Sequence, residues 1–475
     1  MKIVLATAPR SFGEIEMAGL PFLGIGYLAA YLEKNSQHKI VIVDAHSENL
    51  TVEQTVNKIL SFKPQAVGFT ATTHNRLRAI EVIKLLKQKE SSLLIVVGGP
   101  HFSLSAVNAL EAVSDIDCVV RREGEETLKQ LLEVWPDQIK LKNVLGLTYR
   151  NSNGEIVFNP DRPFLNWSQL AWPAWHLYDL SKYNKTIRRT AIRTIGVISG
   201  RGCPNHCVFC CNAAYSKSIL RLRDPIDFVD ELEYLKQNYG FVGFNFWDDT
   251  LTISKKHVLN ICDQILKRKL NINWYARARV NTVDKEIIDT MRHAGCIRIS
   301  YGIESGSPRI LKIIKKNIFL EQARQAIKWS HQAGMAIGLN FIVNLPEENM
   351  EDLKMTADLI KEFKKTPNIN ASYGFALIYP GTEMESYAKM HGILPENFSW
   401  NSSYQSEKYK IISEEPSVPY MEWQGKEIEK VKSFMIKRLV GRKDFLKKAW
   451  QKIKRINNFN DFAALVKLSW RYLKQ

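Results

Sequence analysis

Short apolar runs alternate with stretches of helical periodicity through the first third of this chain. Lys2–Ala6, Lys39–Val43, Ala66–Phe69, Leu93–Val97 and Cys118–Val120 are apolar and β-prone. Between them, Leu23–Leu32, Thr51–Phe62, Asn75–Gln88, Leu104–Ala112 and Glu126–Trp135 repeat apolar residues at helical spacing. Five strands joined by helical crossovers predict a Rossmann-like doubly wound parallel sheet over residues 1–140. Ligands on such sheets sit at the carboxyl ends of the strands. Those ends here carry small, polar or turn-forming residues: the loop Thr7–Leu20, Thr70-Ala-Thr72-Thr73-His74, Gly98-Gly99-Pro100-His101 and Glu123-Gly124-Glu125-Glu126-Thr127. No G-x-G-x-x-G follows the first strand, which counts against a dinucleotide coenzyme.

The pattern loosens between 141 and 192, where Asn151-Ser-Asn-Gly154, Pro160, Pro163 and Pro173 punctuate the chain. This segment is expected to be a linker, with Trp167, Trp172, Trp175 and Tyr178 anchoring it between two domains. From 193 to 400 strand–helix units resume, with strands at Thr194–Ser199, Gly243–Trp247, Asn273–Arg277, Arg298–Ile303, Ala336–Val343 and Ser372–Ile378. Six units are too few for a closed eight-stranded barrel and predict an open, partial (β/α)6 barrel of the TIM type, again with its site at the carboxyl strand ends. A basic helical extension over 401–475 completes the α/β architecture.

Composition agrees with two or three globular domains: 475 residues, 45% hydrophobic and 24% charged. The formal charge of +17 is local, because Lys426–Gln475 holds 15 Lys or Arg against 4 Asp or Glu. Aromatic residues interleave with that charge, as at Phe434, Phe445, Trp450 and Trp470. The pattern fits a helical cap with a solvated basic face, or amphipathic helices resting on an anionic membrane surface. Nucleic acid is not expected, for no RNA-binding motif accompanies the charge. The amino terminus reads directly as a strand rather than a signal peptide, and no apolar run reaches membrane-spanning length. A cytoplasmic protein, peripheral at most to the inner membrane face, is the expectation.

Cys203, Cys207 and Cys210 form a C-x3-C-x2-C triplet in Ser199-Gly-Arg-Gly-Cys-Pro-Asn-His-Cys-Val-Phe-Cys210, and Cys211 follows at once. Thiolates at this spacing call for a soft metal, an iron–sulfur cluster or zinc. Structural zinc sites usually gather two pairs of ligands, and no second pair lies nearby. Adjacent residues point in different directions, so Cys211 is a poor fourth ligand. The remaining cysteines, Cys118, Cys262 and Cys296, are scattered and read as buried apolar residues.

Three cysteines on a four-iron cluster leave one iron free, and this loop resembles that of the radical S-adenosylmethionine (SAM) superfamily. Phe209, just before the third cysteine, fits the same pattern. Pro21-Phe-Leu-Gly-Ile-Gly-Tyr-Leu-Ala-Ala-Tyr-Leu-Glu-Lys34, Val43-Asp-Ala45, Gly98-Gly-Pro-His101 and Glu123-Gly-Glu-Glu126 resemble the cobalamin-binding domain that precedes the barrel in the B12-dependent branch. The resemblance extends from residue 1 to about 400 and implies a 4Fe-4S cluster on Cys203, Cys207 and Cys210, together with SAM and cobalamin. For cobalamin it implies the strand-end residues Thr70, Thr72, Thr73, His74, Gly98, Gly99, Pro100, Glu123, Gly124 and Glu125. Domains that ligate cobalt through histidine carry D-x-H-x-x-G after the first strand. Here Asp44-Ala-His46-Ser-Glu-Asn49 follows the second strand with Asn49 in the glycine position, so a corrinoid without a histidine ligand is expected.

For SAM, the resemblance implies Asp248 or Asp249 at the amino group, one of the pair being free to cap the helix that follows, and Arg277 or Arg279 at the carboxylate. Tyr301-Gly-Ile-Glu-Ser-Gly306 resembles the ribose-contacting segment, which places Glu304 and Ser305 there, with Gly302 and Gly306 allowing close approach. Asn340-Phe-Ile-Val-Asn-Leu-Pro-Glu-Glu348 resembles the next segment, usually G-x-P-G-E. Asn344 and Glu347 replace its glycines, while Glu348 keeps the acidic position. Tyr379-Pro-Gly-Thr-Glu383 matches the sixth strand ending of the cobalamin branch.

The implied chemistry is reductive cleavage of SAM to a 5′-deoxyadenosyl radical, with electrons from a donor such as flavodoxin or ferredoxin. Methylation of an unactivated sp3 carbon in a small natural-product or lipid-like substrate is the leading expectation. Oxidation or ring closure, as in the anaerobic porphyrin cyclase branch, is the second. A cobalamin-binding sensor or carrier is the third.

Overall fold

The computed structural model describes residues 1–10, 20–183, 192–402, 418–419 and 428–439. Strands β1 (Lys2–Thr7), β2 (Lys39–Val43), β3 (Ala66–Thr70), β4 (Leu94–Gly98), β5 (Cys118–Val120), β6 (Leu147–Arg150) and β7 (Ile156–Phe158) form one sheet in the order β2-β1-β3-β4-β5-β6-β7. The first five are parallel; β6 and β7 add antiparallel at one edge. The expected linker from 141 is therefore part of the sheet as far as Phe158, and the connection between domains begins after it.

The apolar runs arise because the parallel strands are covered on both faces. Ile3 and Leu5 enter one core with helices Leu23–Asn35 and Glu125–Val134, while Val4 and Ala6 enter another beneath Val52–Ser61 and Arg76–Lys89. Local chemistry sets the helix ends. Thr51 and Gln54 make a reciprocal capping box, and Asp224 caps Pro225–Tyr239, which stops at Gly240 with φ 70°.

The second sheet is parallel throughout. Strands β8 (Thr194–Val197), β11 (Gly243–Phe246), β12 (Asn273–Ala278), β13 (Cys296–Glu304), β14 (Ala336–Val343) and β15 (Ile369–Phe375) lie side by side in chain order, and β8 and β15 are its edges. This is the expected open barrel of six strands. Two short strands, β9 (Gly200–Arg201) and β10 (Arg221–Leu222), pair antiparallel and close the cysteine loop between them.

The tryptophans after β7 do anchor the domains. Trp175, 2% exposed, donates to Glu231 Oε1 at 2.8 Å, Trp172 to Asp227 Oδ1 at 2.9 Å and Trp167 to the Arg221 carbonyl at 2.9 Å, while Tyr178 donates to the Phe22 carbonyl at 2.8 Å. The start of the basic extension, helix Ile428–Leu439, caps the barrel: Val431 and Met435 are buried and Arg438 pairs with Asp358 at 2.6 Å. Phe445, Trp450 and Trp470 lie outside the described residues. Among the described residues no helix is long and apolar enough to cross a membrane.

Candidate active site between the two sheets

The carboxyl ends of β3, β4 and β5 and the residues flanking the cysteine triplet, Gly202 and Cys211, border a cavity of about 390 Å3. Thr70, Gly98, Gly99, Pro100, Glu123, Gly124 and Glu125 line it from the N-terminal domain, over a floor that includes Leu28, Phe69 and Val97. Gly202, Cys211, Asn212, Tyr215, Trp247 and Asp249 line it from the barrel. Gly99 has φ +80°, and a Cβ there would stand 2.2 Å from Thr70 Oγ1. Glycine is thus required by the turn that brings backbone to the cavity wall.

Thr72, Thr73 and His74 lie beyond that wall. The Thr72 amide donates to Asn75 Oδ1 at 2.8 Å, Thr73 meets His101 Nδ1 at 3.1 Å, and His74 Nε2 reaches Tyr379 Oη at 3.1 Å. His101 is buried and also meets Asn401 at 3.2 Å; burial holds its pKa well below the usual value, so it is neutral. His46 is buried against the Phe22 ring, 5.1 Å between centroids. No histidine lines the cavity among the described residues, and residues 11–19 contain none. A broad, mainly apolar wall with backbone at its strand ends suits a large flat macrocycle.

Glu123 and Glu125 line the cavity, but their carboxylates brace the two domains. Arg201 Nη1 lies 3.1 Å from Glu123 and 2.8 Å from Glu125, Arg221 also pairs with Glu123, and Arg201 covers the Tyr27 ring at 4.6 Å. A second brace runs from Arg122, which donates to the carbonyls of Ala214 and Tyr215, while Tyr215 Oη donates back to the Arg122 carbonyl at 2.6 Å. Sequence reasoning gives no role to Tyr27 and Arg201, although both lie inside quoted motifs, and does not single out Arg122, Asn212 or Tyr215. Arg122, Arg201 and Tyr215 take their positions from contacts remote along the chain.

Among the described residues, no three of His, Cys, Asp or Glu converge as a single ion requires. Cys203, Cys207 and Cys210 all lie in the loop between β9 and β10. Asn205 Nδ2 donates to Cys203 Sγ at 3.2 Å and Arg279 Nη1 to Cys207 Sγ at 3.6 Å. Burial pushes the free Cys210 thiol up to about 12, so binding iron there must displace a proton. Phe209 packs against the barrel core. Cys211 opens helix Cys211–Ser216 and faces the cavity instead.

Asp248 is tied inward. It accepts Ser199 Oγ at 2.8 Å and the Ser199 amide at 3.2 Å, and burial raises its pKa to about 6. Asp249 faces the cavity; enclosure raises its pKa, with the Asn212 side chain and the Arg277 charge opposing. Neither carboxylate caps the next turn, whose N-cap is Thr250. Arg277 lies over the Trp247 ring at 4.4 Å, whereas Arg279, 5% exposed, is committed to Cys207 and the Lys316 carbonyl.

The remaining polar segments brace the barrel rim. Glu304 Oε1 accepts Lys316 Nζ at 2.7 Å, and a Cβ on Gly302 would come within 2.3 Å of that same oxygen. Ser305 meets Thr356 at 3.2 Å, while Gly306 packs where a Cβ would be 2.5 Å from the Met355 carbonyl. These glycines make room for the protein itself. Glu348 Oε2 accepts the amides of Asn344 and Leu345, at 2.5 and 3.2 Å, and so closes the turn in which Asn344 and Glu347 adopt φ 65° and 59°.

Two stacked units, one suited to a corrinoid and one carrying a three-cysteine cluster loop, define an enzyme of the cobalamin-dependent radical SAM class. Comparisons with known proteins agree. The B12 binding domain family matches residues 20–132 and the Radical SAM superfamily residues 197–360. An uncharacterized methyltransferase of Pyrococcus horikoshii is 34% identical over 397 residues, covering 83% of this chain and 84% of its own. The anaerobic magnesium-protoporphyrin IX monomethyl ester cyclase of Rubrivivax gelatinosus is 30% identical over 375 residues, covering 76% of this chain and 66% of that one. The solved cobalamin-dependent S-adenosylmethionine radical enzyme OxsB, with aqua-cobalamin and SAM bound, shares the fold with a TM-score of 0.72 at 18% identity, over 99% of this chain and 71% of that chain. The chain belongs to the B12-binding radical SAM family, and its cofactors are a 4Fe-4S cluster, SAM and cobalamin.

Proposed function

We propose that this enzyme methylates an unactivated sp3 carbon of a natural-product or lipid-like small molecule. The observation that supports the reading is the common cavity, lined by the strand ends of the first domain and by Gly202, Cys211, Trp247 and Asp249 of the barrel. When bound, the three cofactors supply reductive cleavage of SAM and a transferable methyl group. The chain's own contribution is to hold and enclose them. Cys203, Cys207 and Cys210 would ligate the cluster. Asp249 would accept the SAM amino group, and Arg277, over the Trp247 ring, would take the carboxylate through its fork. Thr70, the Gly98-Gly99-Pro100 turn and Gly124 would meet the corrinoid. Glu304, Ser305, Glu348 and Tyr379 would shape the rim around SAM.

Cys118, Cys262 and Cys296 are buried and Cys211 is half-buried. The electron would come from a one-electron carrier such as flavodoxin or ferredoxin. The basic segment beyond Leu439 would give peripheral contact with the inner membrane face; deleting residues 440–475 should abolish liposome binding, and unchanged binding would remove the idea.

The identity to a cyclase favours a second reading, oxidation or ring closure with the same cofactors. Reduced holoenzyme supplied with methyl-labelled SAM and a small-molecule extract of the source cells separates the two. Label in a new product, with both 5′-deoxyadenosine and S-adenosylhomocysteine formed, supports methylation. Consumption of a substrate without label in its product supports cyclisation.

A further inference from the structure

Arg279 and Asn205 stand out as polar groups aimed at sulfur. Arg279 is 5% exposed at the end of β12, with Nη1 3.6 Å from Cys207 Sγ, Nη2 on the Lys316 carbonyl and Nε 3.4 Å from Asn281 Oδ1. That anchoring fixes the guanidinium where it is. Asn205 Nδ2, 3.2 Å from Cys203 Sγ, gives a second sulfur its own donor.

Hydrogen bonds and charge at cysteine sulfur are among the determinants of an iron–sulfur reduction potential. A one-electron reduction adds negative charge to the centre, and a fixed cation and N–H donors stabilise that form more than the oxidised one. We propose that Arg279, assisted by Asn205, is a positioning residue that raises the reduction potential of the cluster, rather than a SAM-binding arginine. The electron itself comes from an external one-electron reductant. The proposal rests on assigning the cluster to Cys203, Cys207 and Cys210. It gives two neighbouring arginines different partners, SAM for Arg277 and sulfur for Arg279.

Full-length protein reconstituted with iron and sulfide is titrated with a redox dye mixture, and the midpoint is read from the electron paramagnetic resonance signal of the reduced cluster. Iron content is measured alongside. Wild type should give the highest potential and R279M the lowest, with R279K between them and N205L showing a smaller drop than R279M. A tenfold loss in the reduction equilibrium corresponds to about 59 mV for one electron. SAM affinity should fall in R277M with the potential unchanged, and the reverse should hold for R279K. If R279M fails to take up iron, R279K and N205L decide the matter. Wild-type potentials in both would overturn the proposal. Wild-type protein lacking a four-iron cluster would overturn the underlying site assignment instead.

Discussion

His74 Nε2 and Tyr379 Oη lie 3.1 Å apart and join the loop after β3 in the N-terminal domain to the segment after β15 in the barrel. Their rings meet edge-on, 6.0 Å between centroids. Burial, then the nearby Cys211 and Cys210, raise the Tyr379 pKa, so the phenol stays protonated at ordinary pH. Y379F deletes this bridge at a cost of about 0.5–1.5 kcal/mol. Thermal unfolding should show a modest drop with iron content unchanged. Lost iron would mean that Tyr379 builds the cluster loop itself.

If Cys203, Cys207 and Cys210 ligate the cluster as proposed, alanine at each should abolish it. C211A should retain full iron and sulfide, because Cys211 faces the cavity. Anaerobic reconstitution followed by iron and sulfide analysis tests this, and a cluster-deficient C211A would make Cys211 a ligand.

G99A combines two penalties: a side chain at φ +80° and a Cβ 2.2 Å from Thr70 Oγ1. The dihedral alone costs on the order of 1–3 kcal/mol. Urea unfolding should report that loss, and gel filtration should show cobalamin released from the variant. The double variant T70A/G99A should regain only the part due to the hydroxyl, since the backbone strain remains.

Asp248, Ser199 and His257 form a buried chain, with His257 Nε2 3.1 Å from Ser199 Oγ. Burial raises Asp248 from 3.8 to about 6 and lowers His257 from 6.5 to about 4. The native state thus holds the Asp248 proton more tightly than the unfolded chain, and stability falls as pH rises from 3.8 to about 6. It holds the His257 proton more weakly, and stability falls as pH drops from 6.5 to about 4. Each contribution is on the order of 3 kcal/mol, and they oppose one another. Between pH 4 and 6, D248N should therefore become more stable with rising pH relative to wild type, and H257Q less. Denaturant midpoints at several pH values give the slopes; equal slopes in both variants would refute the opposition.

Much of this fold is legible because strands buried on both faces leave continuous apolar runs, as Ile3–Ala6 does. Strand β7 leaves no such run, since its side chains are half-exposed or exposed, and its sequence reads as linker. The two-residue pairing of β9 with β10 is too short for any periodicity. The cysteine triplet is visible because its spacing is local. Roles at the strand ends are harder to assign, because a polar side chain there can face a cofactor or brace another loop. The deciding partners of Asp248, Arg279 and Ser305, namely Ser199, Cys207 and Thr356, are 49, 72 and 51 residues away.

Helix Cys211–Ser216 belongs to the barrel in sequence, yet Arg122 of the first domain holds its carbonyl end. The residues just beyond Cys210 are therefore anchored by the other domain, so a change at Arg122 reaches the cysteine loop without touching any of its cysteines.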